Sequence, residues 1–319
     1  MSPNADLDSA GITDPALRES YLRCRALHAR HGRTYYLATL LLPPERRPYV
    51  WALYGFARYA DEIVDDPGAP GDRADRLAAW GDERLAELAR GASGDGIGRA
   101  LVHTARAWGL PLSHFEVFLA SMRRDLTVRE YATFDDLTAY MHGSAAVIGL
   151  QMLPILGPLS DRAAAHAEAL GIAFQLTNFI RDVGEDLARG RLYLPLADLV
   201  AHGVTRGDLA AACAGRVSPE PVRELVRFQV GRARQWYDAA RPGVEELHPS
   251  SRECIAVALR LYAGILDEIE RAGHEVFAHR AAVPSHVRAR VGLNAYARAR
   301  RSWGSSPGRG HQTPSPAGI

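Results

Sequence analysis

An all-α helical bundle is the fold class that this sequence predicts, and three observations predict it. Strand signals, meaning alternating apolar runs joined by paired turns, are essentially missing along the 319 residues. Helix start and stop signals punctuate the chain almost throughout. In two places polar residues recur at helical spacing: Tyr54, Arg58, Asp61 and Asp65, then Gln175, Asn178, Asp182 and Asp186. Each set falls on one face of a helix.

Taken in order, residues 1–13 read as a flexible N-terminus. Asp14-Pro15 caps a helix over about 15–31. Pro43-Pro44 starts the next, over about 45–65, which carries the first polar face. Pro67, Gly68, Pro70 and Gly71 break the chain. Helices follow over about 72–90, 95–108, 112–130, 135–141, 144–156 and 160–187, the last carrying the second polar face, with Gly184 loosening its end. After the loop RGRLYLP come helices near 196–200, 206–214, 219–241, 249–272 and 284–300. Residues 14–300 thus form one helical domain. The tail 301–319, rich in Gly, Ser and Pro, reads as disordered.

The two polar faces carry the chemistry. Each puts two aspartates four residues apart, and like charges so placed repel. A divalent cation reverses that cost: Mg²⁺ takes oxygen ligands and is often shared between one or two carboxylates and substrate phosphates. The alternative is a pair of solvated acidic faces, but a solvated face does not need amides in the same row, and two matching faces occur. Leu53, Phe56, Ile63 and Val64, then Phe174, Leu176, Phe179 and Ile180, supply apolar bulk around them.

Composition narrows the function classes. A chain with 47% hydrophobic residues and net charge +1 can bury a large core, and it lacks the clustered positive excess that nucleic acid demands. Its 38 basic residues are all arginine, which points to a codon bias. Cys24, Cys213 and Cys254 are scattered and read as reduced thiols, which fits a cytoplasmic location. No apolar stretch is read as long enough, about 20 residues, to span a bilayer. Residues 284–303 mix Arg288, Arg290, Arg298, Arg300 and Arg301 with Val287, Val291, Leu293, Tyr296 and Trp303. Two readings of that segment stand: a basic helix lying on an anionic membrane surface, peripheral at the inner face, or a last helix packed on the bundle. There is no G-x-S-x-G elbow, H-E-x-x-H site or P-loop, and His28 and His31 read as structural or surface residues.

Five blocks, in order, resemble the squalene/phytoene synthase family of trans-isoprenyl diphosphate synthases: HGRTYYLATLLLP at 31–43, VWALYGFARYADEIVDD at 50–66, YMHGSAAVIGLQMLPILG at 140–157, FQLTNFIRDVGEDLARGRLYLP at 174–195 and ALRLYAGILDEIE at 258–270. The first and third look closest to bacterial phytoene synthases. The resemblance implies a single-domain bundle of isoprenoid-synthase type with a central apolar cavity. It implies 15-cis-phytoene synthase activity: two geranylgeranyl diphosphates condense head to head through a cyclopropyl diphosphate, without NADPH. A squalene or dehydrosqualene synthase acting on farnesyl diphosphate is the alternative, and a catalytically silent binding subunit is a third reading.

The resemblance also implies roles. Asp61, Asp65, Asp182 and Asp186 would hold Mg²⁺, with Mn²⁺ as a substitute, and Asn178 would assist the second pair. Arg58 and Arg181 would contact phosphate oxygens or else pair with a nearby aspartate. Thr34, Tyr35, Tyr54, Gln175, Tyr193 and Tyr262 would bind substrate, and Tyr140 would take part in catalysis. Glu62 stands where many relatives have aspartate, so its role stays open. Wall positions are expected at Tyr35, Leu37, Tyr140, Val147, Leu150, Phe174, Leu176 and Tyr262. Prenyl diphosphates would be the partners, with contact to downstream carotenoid enzymes.

Overall fold

The computed structural model describes residues 2–66 and 70–303, and among these there are helices and two isolated bridges but no strand. In chain order the helices are α1 (Pro3–Ser9), α2 (Pro15–His31), α3 (Arg33–Thr39), α4 (Arg47–Asp65), α5 (Pro70–Arg90), α6 (Gly98–Trp108), α7 (Leu112–Asp125), α8 (Phe134–Met141) and α9 (Val147–Leu156). They continue as α10 (Arg162–Arg181), α11 (Val183–Ala188), α12 (Leu196–Ala201), α13 (Arg206–Gly215), α14 (Glu220–Ala240), α15 (Pro249–Arg271) and α16 (Ser285–Ser302). One apolar core joins them, with Trp51, Phe56, Phe115, Leu119, Ala173 and Leu266 among its buried residues.

Local chemistry explains the boundaries. Asp14 caps α2 by accepting from the Leu17 N–H, and Pro15 sits where its missing N–H costs nothing. Thr133 with Asp136, and Thr205 with Asp208, form reciprocal capping boxes at the starts of α8 and α13. α8 and α9 are joined by a π turn, His142–Ala146. Against that turn lies α10, and a Cβ at Gly171 would fall 2.5 Å from the Ala145 carbonyl oxygen, so only glycine permits the approach.

Several expectations need correction. The N-terminus is not loose: Leu7 is buried, and Asp6 pairs at 2.8 Å with Arg47, which is itself buried. Ala5 and Leu7, the two apolar residues of this seven-residue helix, are too few to give a periodic signal for α1. The helix α3 was also unforeseen, because His31-Gly32 marked an end but no new start. The helix expected over 112–130 stops at Asp125. The long helix 160–187 breaks at Asp182, where φ −103 and ψ 11 leave the helical region, and Gly184 lies inside α11.

At the C-terminus, α16 runs to Ser302, and Trp303 donates its indole N–H to the Leu41 carbonyl while stacking under Arg47. Residues 301–303 therefore belong to the helical domain, and the rest of the expected tail lies outside the described residues. Val291, Ala295 and Ala299 face the bundle and Arg298 pairs with Glu253, which is the packed reading of this segment. Finally, Phe134–Leu156 is one helix long and apolar enough to cross a membrane by length and composition. Charges are absent between Asp136 and Leu156, a run the sequence reading passed over. Here it packs against α7, α4 and α10.

Candidate functional site

The two acidic faces end at the mouth of one cavity of about 530 Å³. Tyr54, Arg58, Asp61 and Asp65 line it from α4, Gln175 and Asn178 from α10, Asp182 from the break after α10, and Asp186 from α11. The wall deeper in is apolar, with Leu53, Phe118, Ile148, Met152, Leu170 and Ala258. Helical periodicity explains the division: each face is polar at its C-terminal end and apolar one or two turns earlier.

Among the described residues no three His, Cys, Asp or Glu side chains gather closely enough to cage an ion. That suits an ion that keeps other oxygen ligands from water or phosphate. The donor set is all oxygen, and the buried Asn178 Oδ1 has no hydrogen-bond partner, so the residues fit a hard divalent cation. Loss of water around Asp61 pushes its carboxyl up to about 7, with Arg58 opposing and Asp65 adding repulsion. The Asp186 carboxyl also rises to about 7, from burial and then from Asp182, against Arg189 and Arg191.

Arginines surround the acids. Asp182 accepts from Arg181 Nε at 2.7 Å and from Arg280 Nε at 2.8 Å. Asp65 accepts from Arg191 at 3.0 Å, with Arg189 at 3.6 Å. Arg58 instead reaches Glu62 at 3.1 Å, and His31 lies 3.6 Å from that same carboxylate. Glu62 therefore braces Arg58 and does not line the cavity.

Aromatic rings form the upper wall. Tyr193 stacks on Phe179 at 4.0 Å and on Tyr140 at 5.9 Å. Tyr35 stacks on Tyr262, and Phe174 also meets Tyr262, each at 4.6 Å. Tyr262 thus backs the wall rather than lining it, and Thr34 is half-buried on α3 outside the lining. Of the expected wall positions, Tyr35, Tyr140 and Phe174 line the cavity. Leu37 is exposed, while Val147, Leu150 and Leu176 point elsewhere. Gln151 apart, the helix α9 is apolar all round, so its pattern could not say which face meets the cavity.

Four residues went unseen in the sequence. Asp125 lines the cavity and accepts from Tyr140 Oη at 2.6 Å and Tyr193 Oη at 3.2 Å. Its signal was an acid in line with the buried Phe118 and Met122, at spacings of four and three. Arg189 and Arg191 come from the loop after α11, which Leu192 ties down by donating to the Arg129 carbonyl at 2.7 Å. Arg280 stands in irregular chain between α15 and α16, where no pattern marks it. His28, read from the sequence as a structural or surface residue, is buried, stacks on Tyr54 at 4.2 Å and has no partner for either ring nitrogen.

Comparison with known proteins gives a consistent answer. The squalene/phytoene synthase family model matches residues 28–288. The phytoene synthase of Arthrospira platensis is 40% identical over 285 residues, covering 85% of this chain and 91% of that protein. The 15-cis-phytoene synthase of Synechococcus elongatus is 37% identical, covering 85% and 90%. A squalene synthase from Alicyclobacillus acidocaldarius superposes with TM-score 0.75 at 30% identity, covering 84% of this chain and 99% of that one. A dehydrosqualene synthase at 23% identity shares the fold, with TM-score 0.75 and coverage of 91% and 98%.

Proposed function

The chain belongs to the squalene/phytoene synthase family, and within it we propose 15-cis-phytoene synthase, a prenyltransferase of carotenoid biosynthesis that joins two geranylgeranyl diphosphates head to head. One observation carries the reading: both acidic faces meet at the mouth of a single cavity whose interior is apolar. The names of the curated relatives compared above support the same activity.

The substrate's charged end belongs at the acids and its hydrocarbon chains belong inside. Arg58, Arg181 and Arg191 bring fixed positive charge to where a diphosphate departs, so the allylic C–O bond ionises with less cost. Asp61, Asp65, Asn178, Asp182 and Asp186 are the residues that would hold divalent cations, and such an ion supplies further positive charge to the leaving diphosphate. We assign Mg²⁺ there, with Mn²⁺ as a substitute, on the all-oxygen donor set.

The rings of Tyr35, Tyr54, Tyr140, Phe174 and Phe179 turn electron-rich surface toward the cavity that holds the resulting cation. Attack by the double bond of the second chain leaves a tertiary cation, and loss of a proton from the carbon that had ionised closes the ring to the cyclopropyl diphosphate. A second ionisation opens the ring, and loss of a proton leaves the central double bond. The apolar lining keeps water from trapping either cation as an alcohol. No hydride enters this sequence, so the reading requires no nicotinamide.

Purified protein given Mg²⁺ and either geranylgeranyl or farnesyl diphosphate, with and without NADPH, tests it. A forty-carbon hydrocarbon formed without NADPH is the expected product by mass spectrometry. A thirty-carbon product alone, or a strict need for reductant, overturns the reading.

A further inference from the structure

The depth of the cavity is set by its inner end, and six residues from five parts of the fold close it: Val50, Leu156, Ala163, Gly243, Leu247 and Cys254. They lie at the N-terminal ends of α4, α10 and α15, the last turn of α9, and the 3₁₀ turn Arg241–Val244 with the residues after it. The acids sit at the opposite ends of α4 and α10, so these two helices measure the cavity from mouth to floor. At 1.5 Å per residue, Asp182 to Ala163 along α10 is about 28 Å, and Asp65 to Val50 along α4 is about 22 Å.

A prenyl chain is a second ruler. Advancing roughly 1.25 Å per C–C bond of ~1.5 Å, an extended geranylgeranyl chain reaches about 19 Å and a farnesyl chain about 14 Å. The difference of about 5 Å is one helical turn. With ~9 Å of α10 left for the diphosphate, the longer chain ends level with Ala163 and the shorter one level with Ala167. Both side chains line the cavity, and Ala163 is 2% exposed.

We propose that Ala163, at the inner end of α10, is the specificity-determining residue for chain length: its single methyl leaves the room that the fourth isoprene unit occupies. The inference rests on the phytoene synthase reading and adds the residue that enforces it. A phenyl ring here fills the last turn of the cavity and leaves the mouth, more than four turns away, untouched. A hydrocarbon end that loses its place forfeits the burial of a whole isoprene unit, far more than the one methylene that alone gives tenfold or greater discrimination.

The test uses the full chain with Mg²⁺, comparing wild type with Ala163→Phe. The expected result is a loss of about 100-fold in kcat/KM for geranylgeranyl diphosphate with a change under about threefold for farnesyl diphosphate. Binding of inorganic diphosphate with Mg²⁺ should stay within about twofold, because the mouth is intact. Parallel loss on both substrates, or no loss on the longer one, overturns the proposal. Should Ala163→Phe fail to fold, Leu247→Ala decides, since it deepens the same end. It should raise turnover of a twenty-five-carbon prenyl diphosphate about tenfold, and no rise overturns the proposal. If wild type itself makes only a thirty-carbon product, the functional reading fails, whereas a forty-carbon wild type with an indifferent Ala163→Phe fails the wall alone.

Discussion

Asp125 shows how a residue outside both acidic faces governs the site. Its carboxylate accepts hydrogen bonds from the hydroxyls of Tyr140 and Tyr193 and so holds two stacked rings in one orientation. Burial raises its pKa, while donation from Tyr140 and the charge of Arg191 pull it back. Asp125→Ala should lower kcat by about tenfold to hundredfold with little change in KM, as loss of a supporting partner does. Tyr140→Phe in that background should add little, since the two act as one unit, and full additivity in a double-mutant cycle would argue against the pairing. His28 makes a pH prediction. Burial pushes its imidazole down to about 3, against an ordinary value of 6.5. Between those values the unfolded chain binds the proton and the native protein does not. Stability is therefore full above pH 6.5 and falls by up to about 1.4 kcal/mol for each pH unit below it. Thermal unfolding of His28→Phe, which keeps a ring against Tyr54, should depend less on pH from 6.5 to 4. An identical slope would mean that His28 stays solvated in the native state.

At the scale of elements, α1 does more than its length suggests. Arg47 is buried, gives two hydrogen bonds to the carbonyls of Leu40 and Leu42, and has Asp6 as its counter-charge. Deleting residues 2–10 leaves that guanidinium without its anion, and breaking a buried pair from one side costs about 3–5 kcal/mol. Denaturant unfolding of the truncated chain should show that loss, and a change under ~1 kcal/mol would return α1 to the loose terminus first expected. The break at Asp182 is a second case. Asp182 stands at the break itself, between the long α10 and the short α11, and Asp186 lies on α11. The spacing of four still brings both to the cavity, and across the break the Asp186 N–H donates to the Asp182 carbonyl at 2.9 Å. Arg280, from the irregular stretch after α15, then reaches Asp182 across 98 positions. Arg280→Ala should weaken binding of Mg²⁺ with inorganic diphosphate less than Asp182→Ala does, as calorimetry would measure, because it removes a partner of the acid and not the acid.

For the whole molecule, fold and metal should separate cleanly. The helices close on one apolar core, and arginines already compensate Asp65 and Asp182. Chelation should therefore abolish turnover while leaving the helical circular dichroism and the melting temperature nearly unchanged, unlike a protein folded around its metal. Asp61→Ala and Asp182→Ala should each cut turnover by more than about 100-fold and keep the fold, since each removes a ligand from a bundle that closes on its own apolar core. Unfolding on chelation, or a variant retaining most of its turnover, would sink the assignment.

The all-α class, most helix positions and the eight residues of the two polar faces were legible in the chain because they depend on short-range spacing. A turn of 3.6 residues places them wherever the helix goes. Proline, glycine and capping residues act on their own neighbours, so most boundaries were legible too. What stayed hidden depends on contacts between distant segments. Asp6 with Arg47, Tyr140 with Asp125, Asp182 with Arg280 and Trp303 with Leu41 pair residues that no local pattern links. The same holds for the cavity. Its mouth is written into two helix faces, but its floor exists only where the ends of four helices and a 3₁₀ turn meet. Sequence thus determined the helices and the charged chemistry, through local geometry. Tertiary structure decided how deep the cavity runs and which arginines face the acids, because both are fixed by packing across the fold.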